Sequence, residues 1–151
     1  MHIGLTAHDA QALQQERAAT AIPERTRLYG IGAGKTGTHA LASMLSGFAA
    51  AHEAEAEAAI GAVLDYQSMR SGWRALRDFA VDRDRRLRLT VDVSNLNIFF
   101  VDLLVALSDT AKFVLTIRDP YSWVDSMINH YLLHPPTARW RALADLRFGK
   151  D

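Results

Sequence analysis

Residues 30–38 read Gly-Ile-Gly-Ala-Gly-Lys-Thr-Gly-Thr, and the stretches on either side decide what they are. Before them, Arg27-Leu-Tyr-Gly-Ile31 reads as a short strand running into glycines. After them, Leu41, Met44, Leu45 and Phe48 recur at i, i+3, i+4 and i+7, which predicts an amphipathic helix. A strand, a glycine loop and a helix in that order form a cradle for an anion. Glycines let backbone N–H groups approach a phosphate with no Cβ in the way. The helix N-terminus adds unpaired N–H groups and a partial positive charge. Lys35 supplies a full charge, and Thr36 and Thr38 supply hydroxyls. The competing reading is a flexible turn with a solvated lysine, and the flanking strand and helix weigh against it.

Working outward, residues 8–20 suit a short polar helix or a mobile arm, and Pro23 breaks the chain after it. Ala49 to Ala59, rich in alanine and glutamate, reads as helix by composition and runs on into Ile60, Val63 and Leu64. Ser71 is placed to cap a helix carrying Trp73, Leu76 and Phe79, and Leu87–Val93 reads as a strand. Leu96, Phe99, Phe100, Leu103, Leu104 and Leu107 form the strongest helical pattern in the chain. Lys112 to Ile117 is a near-continuous apolar strand, as expected of one buried on both faces. Asp119 and Pro120 look like an N-cap and a first helical residue. Val124, Met127, Ile128 and Tyr131 form that helix's stripe, Pro135-Pro136 ends it, and Trp140, Leu143 and Leu146 mark a last helix. Strands alternating with helices predict an α/β fold whose parallel sheet is covered by helices. Three strands are few, so a partial domain, incomplete at the C-terminus, is expected over residues 26–151, with residues 1–25 as an arm or helix.

The bulk composition narrows the partners. A length of 151 residues fits one domain, and 49% hydrophobic residues exclude a disordered chain. Zero formal net charge leaves no basic field to attract a nucleic acid, although a local pocket still suits a small anion. With no cysteine, disulfides, thiolate metal sites and a cysteine nucleophile are excluded. No apolar run approaches the roughly 20 residues of a membrane span. The N-terminus also lacks a secretory layout. A soluble, cytoplasmic protein with neither a nucleic acid nor a membrane as partner is expected.

The loop alone leaves the anion open. The G-x-x-x-x-G-K-[ST] loop of ATP-binding proteins needs glycine where Tyr29 stands, and Gly30 comes one position late. Gly32, Gly34 and Gly37 satisfy the dinucleotide pattern G-x-G-x-x-G, with Glu53 near the distance for a ribose contact, but that pattern does not require Lys35. A second segment adds to the argument. Arg118, at the end of the third predicted strand, would point into the crevice where open α/β sheets bind ligands, and its planar fork suits a phosphate. Ser126 falls on the helix face opposite the apolar stripe, free for a ligand or water. Taken singly, Arg118 also reads as a structural ion pair and Ser126 as a surface serine.

Together the two segments resemble the sulfotransferase family that uses 3′-phosphoadenosine 5′-phosphosulfate (PAPS). Gly34-Lys35-Thr36-Gly37-Thr38 is similar to its 5′-phosphosulfate loop, commonly P-K-[ST]-G-T, with Gly34 where proline is usual. Arg118-Asp119-Pro120, with Ser126 eight residues after the arginine, is similar to its 3′-phosphate motif. The resemblance spans about residues 27–133 and implies a three-layer P-loop-like fold. It also implies that Gly34, Lys35, Thr36, Gly37 and Thr38 hold the 5′-phosphosulfate and that Arg118 and Ser126 hold the 3′-phosphate. In the family, sulfuryl transfer to a hydroxyl or amine of a small-molecule or carbohydrate acceptor is in line, with PAP as product and no obligatory metal. Lys35 would then neutralise charge on the bridging oxygen.

The base that the acceptor needs is Glu53 first and His52 second, since His52-Glu53 resembles an H-E element found at this place in some members. The same stretch also reads as a solvated helix. Asp92 reads either as a magnesium-facing acid or as a strand-end residue near the acceptor, and Ser94 and Asn95 as helix caps. His130 and His134 show no ligand spacing with a carboxylate, so no metal site is expected. The family's later glycine-containing contact to the 3′-phosphate has no counterpart after Ser126. An ATP-dependent small-molecule kinase and a non-catalytic nucleotide-binding module are the alternatives.

Overall fold

The computed structural model describes residues 5–20 and 25–149. Its elements run α1 (Ala7–Thr20), β1 (Arg27–Gly32), α2 (Thr38–Met44), β2 (Ala50–His52), α3 (Ala56–Gln67) and α4 (Trp73–Leu87). Then come β3 (Val91–Val93), a 3₁₀ helix (Asn95–Phe99), α5 (Val101–Leu107), β4 (Ala111–Thr116), α6 (Pro120–Leu133) and α7 (Ala138–Phe148). All strand pairs are parallel, in the order β2-β3-β1-β4. The chain passes from β1 to the edge at β2, returns to β3 beside β1, and crosses to β4 on β1's other side. That reversal opens a crevice beyond the carboxyl ends of β1 and β4, the usual ligand position in open parallel sheets.

Alternation along the strands separates two cores. Leu28 of β1 and Val91 and Val93 of β3 pack against Leu41 and Ala42 of α2 and Leu45 just after it. Between them, Tyr29 faces the other way, stacks on Phe113 of β4 at 5.6 Å, and joins the larger core with residues of α1, α3, α4, α5 and α7. The sheet is therefore covered on both faces, in the α/β arrangement expected. Gly30 allows β1 and β3 to lie close, since a Cβ there would sit 2.5 Å from Val93. Asn97 ties the strand ends together, its Nδ2 donating to the carbonyls of Gly30 (3.2 Å) and Asp92 (2.9 Å).

Several elements depart from expectation. Ala50–His52 is an edge strand paired with Val91–Val93, not helix, because tertiary pairing overrides the helix preference of alanine. Strand β3 is short because α4 runs on to Leu87 and stops at Arg88, which is in the left-handed conformation. The pattern from Leu96 to Leu107 is split into a 3₁₀ helix and α5. Gly72, not Ser71, precedes α4. Helix α2 ends at Met44, so Met44 and Phe48 are exposed. Strand β4 lies at the sheet edge with Leu115 and neighbouring Ile117 exposed, so it is not buried on both faces. Of the two readings of the N-terminal segment, helix is the one seen: Leu5 and Leu13 are buried in the main core, and Tyr66 donates to Asp9 of α1 at 2.7 Å.

Two buried ion pairs brace the main-core side. Arg27, 1% exposed, meets Asp84 through Nε and Nη2, both at 2.9 Å. Burial alone would raise the Asp84 carboxyl, but the guanidinium groups of Arg27 and Arg25 outweigh it and hold it below its ordinary range. Arg83 forks onto Asp92 and donates to the Ala54 carbonyl at 2.9 Å. Asp92 is thus a buried structural partner, and both ligand-facing readings of it fail.

Candidate functional site

A cleft of about 650 Å³ opens at the carboxyl end of the sheet. The loop after β1 supplies Gly34, Lys35, Gly37 and Thr38 to its wall; the end of β2 supplies His52 and Glu53, and the 3₁₀ helix supplies Asn95. Arg118 comes from the segment after β4, and Ser126, Met127, His130 and Tyr131 from α6. His134, Pro135, Pro136, Thr137 and Trp140 form the far rim, between α6 and α7.

The loop is held from three sides. Trp123 Nε1 donates to the Gly34 carbonyl at 2.8 Å, and Arg118 Nη1 to the Lys35 carbonyl at 3.2 Å. Thr36 Oγ1 donates to the Ala33 carbonyl at 2.7 Å and meets Thr116 Oγ1 at 2.8 Å. Lys35 adopts φ 67° and Gly37 φ 108°, left-handed conformations that wind the loop tightly, the first unusual for a side chain other than glycine, asparagine or aspartate. With the Ala33 and Gly34 carbonyls turned onto the Thr36 and Trp123 side chains, the N–H groups of those two peptides, on Gly34 and Lys35, are the ones left for an anion. Helix α2 is only seven residues long, so charge from Lys35 and Arg118 matters more here than a helix dipole.

Of the residues singled out from sequence, Gly34, Lys35, Gly37, Thr38, His52, Glu53, Arg118 and Ser126 line this one cleft. Thr36 does not; its hydroxyl is spent inside the loop, and its N–H bonds to the Ala33 carbonyl at 3.3 Å. Asp119 caps α6 through the Ser122 N–H at 2.9 Å, and that bond holds its carboxyl below the ordinary range.

Glu53 has φ 52°, another left-handed non-glycine backbone, and its N–H donates to the Val93 carbonyl at 2.9 Å. The turn aims its carboxylate into the cleft, where Oε1 accepts from Asn95 Nδ2 at 2.6 Å. Burial raises this carboxyl above its ordinary range, against the pull of His130, the Asn95 hydrogen bond and Lys35. His52 Nε2 lies 3.0 Å from Thr38 Oγ1 and 4.0 Å from Glu53 Oε1, and its ring meets that of His39 edge-on. Burial, then His39 and Lys35, push the His52 ring toward its neutral form. His130 is shifted the same way by burial, Lys35 and His134.

A family model described as a sulfotransferase domain matches residues 27–149. The chain belongs to the sulfotransferase family. No curated protein and no solved structure matches it. The family's reaction is sulfuryl transfer, so the protein is a transferase. Its matched region starts at the first residue of β1 and takes in every cleft residue named above.

Sequence reasoning missed three contributors: Trp123, Asn95 and His130. Trp123, Ser126 and His130 lie at i, i+3 and i+7 on one face of α6; Ser126 and His130 line the cleft, and Trp123 bonds to its loop. The apolar residues Val124, Ile128 and Leu132 occupy another face, which is exposed. Met127 and Tyr131 of the expected apolar stripe line the cleft beside Ser126, so that stripe is split between the cleft and solvent. Among the described residues no group of three or more His, Cys, Asp or Glu side chains is arranged to hold a metal ion, and no helix is long and apolar enough to cross a membrane.

Proposed function

We propose that the protein transfers a sulfuryl group from PAPS to a hydroxyl or amine of a small-molecule or carbohydrate acceptor, leaving PAP. The carrying observation is that Arg118 reaches the Lys35 carbonyl, so the β1 loop and the β4–α6 segment meet across one cleft. Gly34, Lys35, Gly37 and Thr38 bind the 5′-phosphosulfate, Arg118 and Ser126 bind the 3′-phosphate, and Thr36 braces the loop from within. PAPS supplies an activated sulfuryl group on a phosphate leaving group. Glu53 takes the proton from the acceptor as the acceptor's bond to sulfur forms and the bond from sulfur to the bridging oxygen breaks. Lys35 neutralises the electron pair left on that oxygen. Such a preorganised charge is worth on the order of 10²–10³ in rate.

Glu53 is the better base because its raised carboxyl keeps proton affinity in a half-buried site, while Nε2 of His52 is engaged by Thr38. His52 assists by holding Thr38. The nucleotide-binding unit is assigned to residues 26–151, with α1 packed onto it as an added helix, and the cytoplasm is the proposed location.

Calorimetry with PAP, ATP and NAD separately tests the reading. PAP is expected to bind best, with the preference lost in Arg118→Ala. Tighter binding of ATP with magnesium would replace the reading with a kinase, and PAP binding without sulfuryl transfer would leave a nucleotide-binding module.

A further inference from the structure

We propose that Asn95 is the positioning residue for Glu53, its side-chain amide holding the carboxyl group in both protonation states. The inference rests on the assignment of Glu53 as base. Asn95 is 6% exposed, at the floor of the cleft between Gly34 and Glu53. Its Nδ2 donates to Glu53 Oε1 at 2.6 Å, whereas its Oδ1 is buried without a hydrogen-bond partner among the described residues. Native interiors rarely keep such an orphan, and the exceptions point to function.

The orphaned oxygen is closed off from the cleft, so the neighbour able to use it is Glu53 itself. As a carboxylate, Glu53 only accepts hydrogen bonds, and Nδ2 serves it. Once it has taken the acceptor's proton it carries an O–H, and Nδ2 faces a group that now needs an acceptor. Rotation of the amide presents Oδ1 to that O–H. The idle oxygen is thus the partner reserved for the state that proton transfer creates. The backbone about which the amide turns is fixed. Ser94 Oγ accepts from the Leu96 N–H at 3.1 Å, and the Asn95 carbonyl accepts from Arg147 Nη2 at 3.2 Å. The other charged or titratable groups facing Glu53 are Lys35 from the loop, His52 from β2 and His130 from α6. Lys35 offers donors alone, Nε2 of His52 is engaged by Thr38, and a neutral imidazole such as His130 carries its donor and acceptor on separate ring nitrogens, not on one rotatable group as an amide does.

An NMR titration of the full chain tests this, following the Glu53 carboxyl carbon, assigned by its loss in E53Q, and the Asn95 side-chain amide nitrogen. In the wild type the Asn95 amide is expected to shift with the same midpoint as Glu53. In N95A the Glu53 midpoint is expected to rise by about one pH unit, because the charge-assisted bond lost by the carboxylate is worth more than the neutral bond lost by the acid. N95D keeps the shape where the alanine variant fails to fold, and with two carboxyls sharing one proton the higher of the two midpoints is expected to rise further. An Asn95 amide that stays flat through the Glu53 transition overturns the proposal, as does an unmoved Glu53 midpoint in the variants. The titration needs no acceptor. Sulfuryl transfer by E53Q is a separate measurement: retained turnover would remove Glu53 as base while leaving the amide coupling observable.

Discussion

Replacing Arg118 by alanine separates two contacts that one guanidinium is asked to make. The first is in the structure: Nη1 donates to the Lys35 carbonyl at 3.2 Å and steadies the loop. The second is proposed, a fork onto the 3′-phosphate of the nucleotide. Binding of PAP and of AMP, which lacks the 3′-phosphate, distinguishes them. Loss of the loop contact weakens both ligands alike, by about two- to tenfold for one hydrogen bond. Loss of the phosphate contact falls on PAP alone. A charge-assisted fork has a larger effect, but Arg118 is exposed, so solvent and salt discount it to about ten- to thirtyfold. Calorimetry in low salt should therefore show R118A losing PAP affinity by the product of the two factors and AMP affinity by the first alone. R118K should recover part of the PAP-specific loss, since it restores charge but not the fork. Equal losses for PAP and AMP would refute the 3′-phosphate assignment and leave Arg118 as a loop brace.

Other outcomes follow from the same contacts. W123F removes the donor to the Gly34 carbonyl and should weaken PAP about three- to tenfold by calorimetry, with circular dichroism unchanged. E53Q should lower turnover by about 10²–10⁴ in steady-state assays. E53Q should also be more heat-stable than wild type near neutral pH. The Glu53 carboxyl is raised above its ordinary 4.5, so the folded state holds that proton more tightly than the unfolded one, and wild-type stability falls as pH climbs through this range. The advantage of the variant should vanish below 4.5, and melts across pH check the sign. R83M leaves Asp92 buried without its partner and should cost about 3–5 kcal/mol in urea unfolding.

The parts of the fold legible in sequence were those where local pattern and tertiary context agree. The Arg27–Ile31 strand, the glycine loop and the Asp119-Pro120 helix start all stand where they were read. Ala50–His52 was not legible, because three small or polar residues gain strand character only from β3 beside them. In the glycine loop, composition concealed a division of labour. Gly30 and Gly32 are excluded from bearing side chains by Val93 and Thr116, so they serve strand packing, whereas Gly34 and Gly37 line the cleft. Thr36 and Thr38 looked equivalent by type, yet one hydroxyl turns into the strand ends and the other toward His52. Trp123 escaped notice, and Asn95 was read as a helix cap where Ser94 alone caps, because their contacts reach back 89 and 42 residues along the chain.

Helix α6 contributes no buried residue, and two of its fastenings are the Trp123 bond to the loop and, just before it, the Arg118 bond. Most helices are anchored by oil; this one is anchored at the binding site. Its stiffness and the cleft's occupancy are therefore coupled quantities, and slower amide exchange along residues 121–133 would register a nucleotide's arrival before any chemistry takes place.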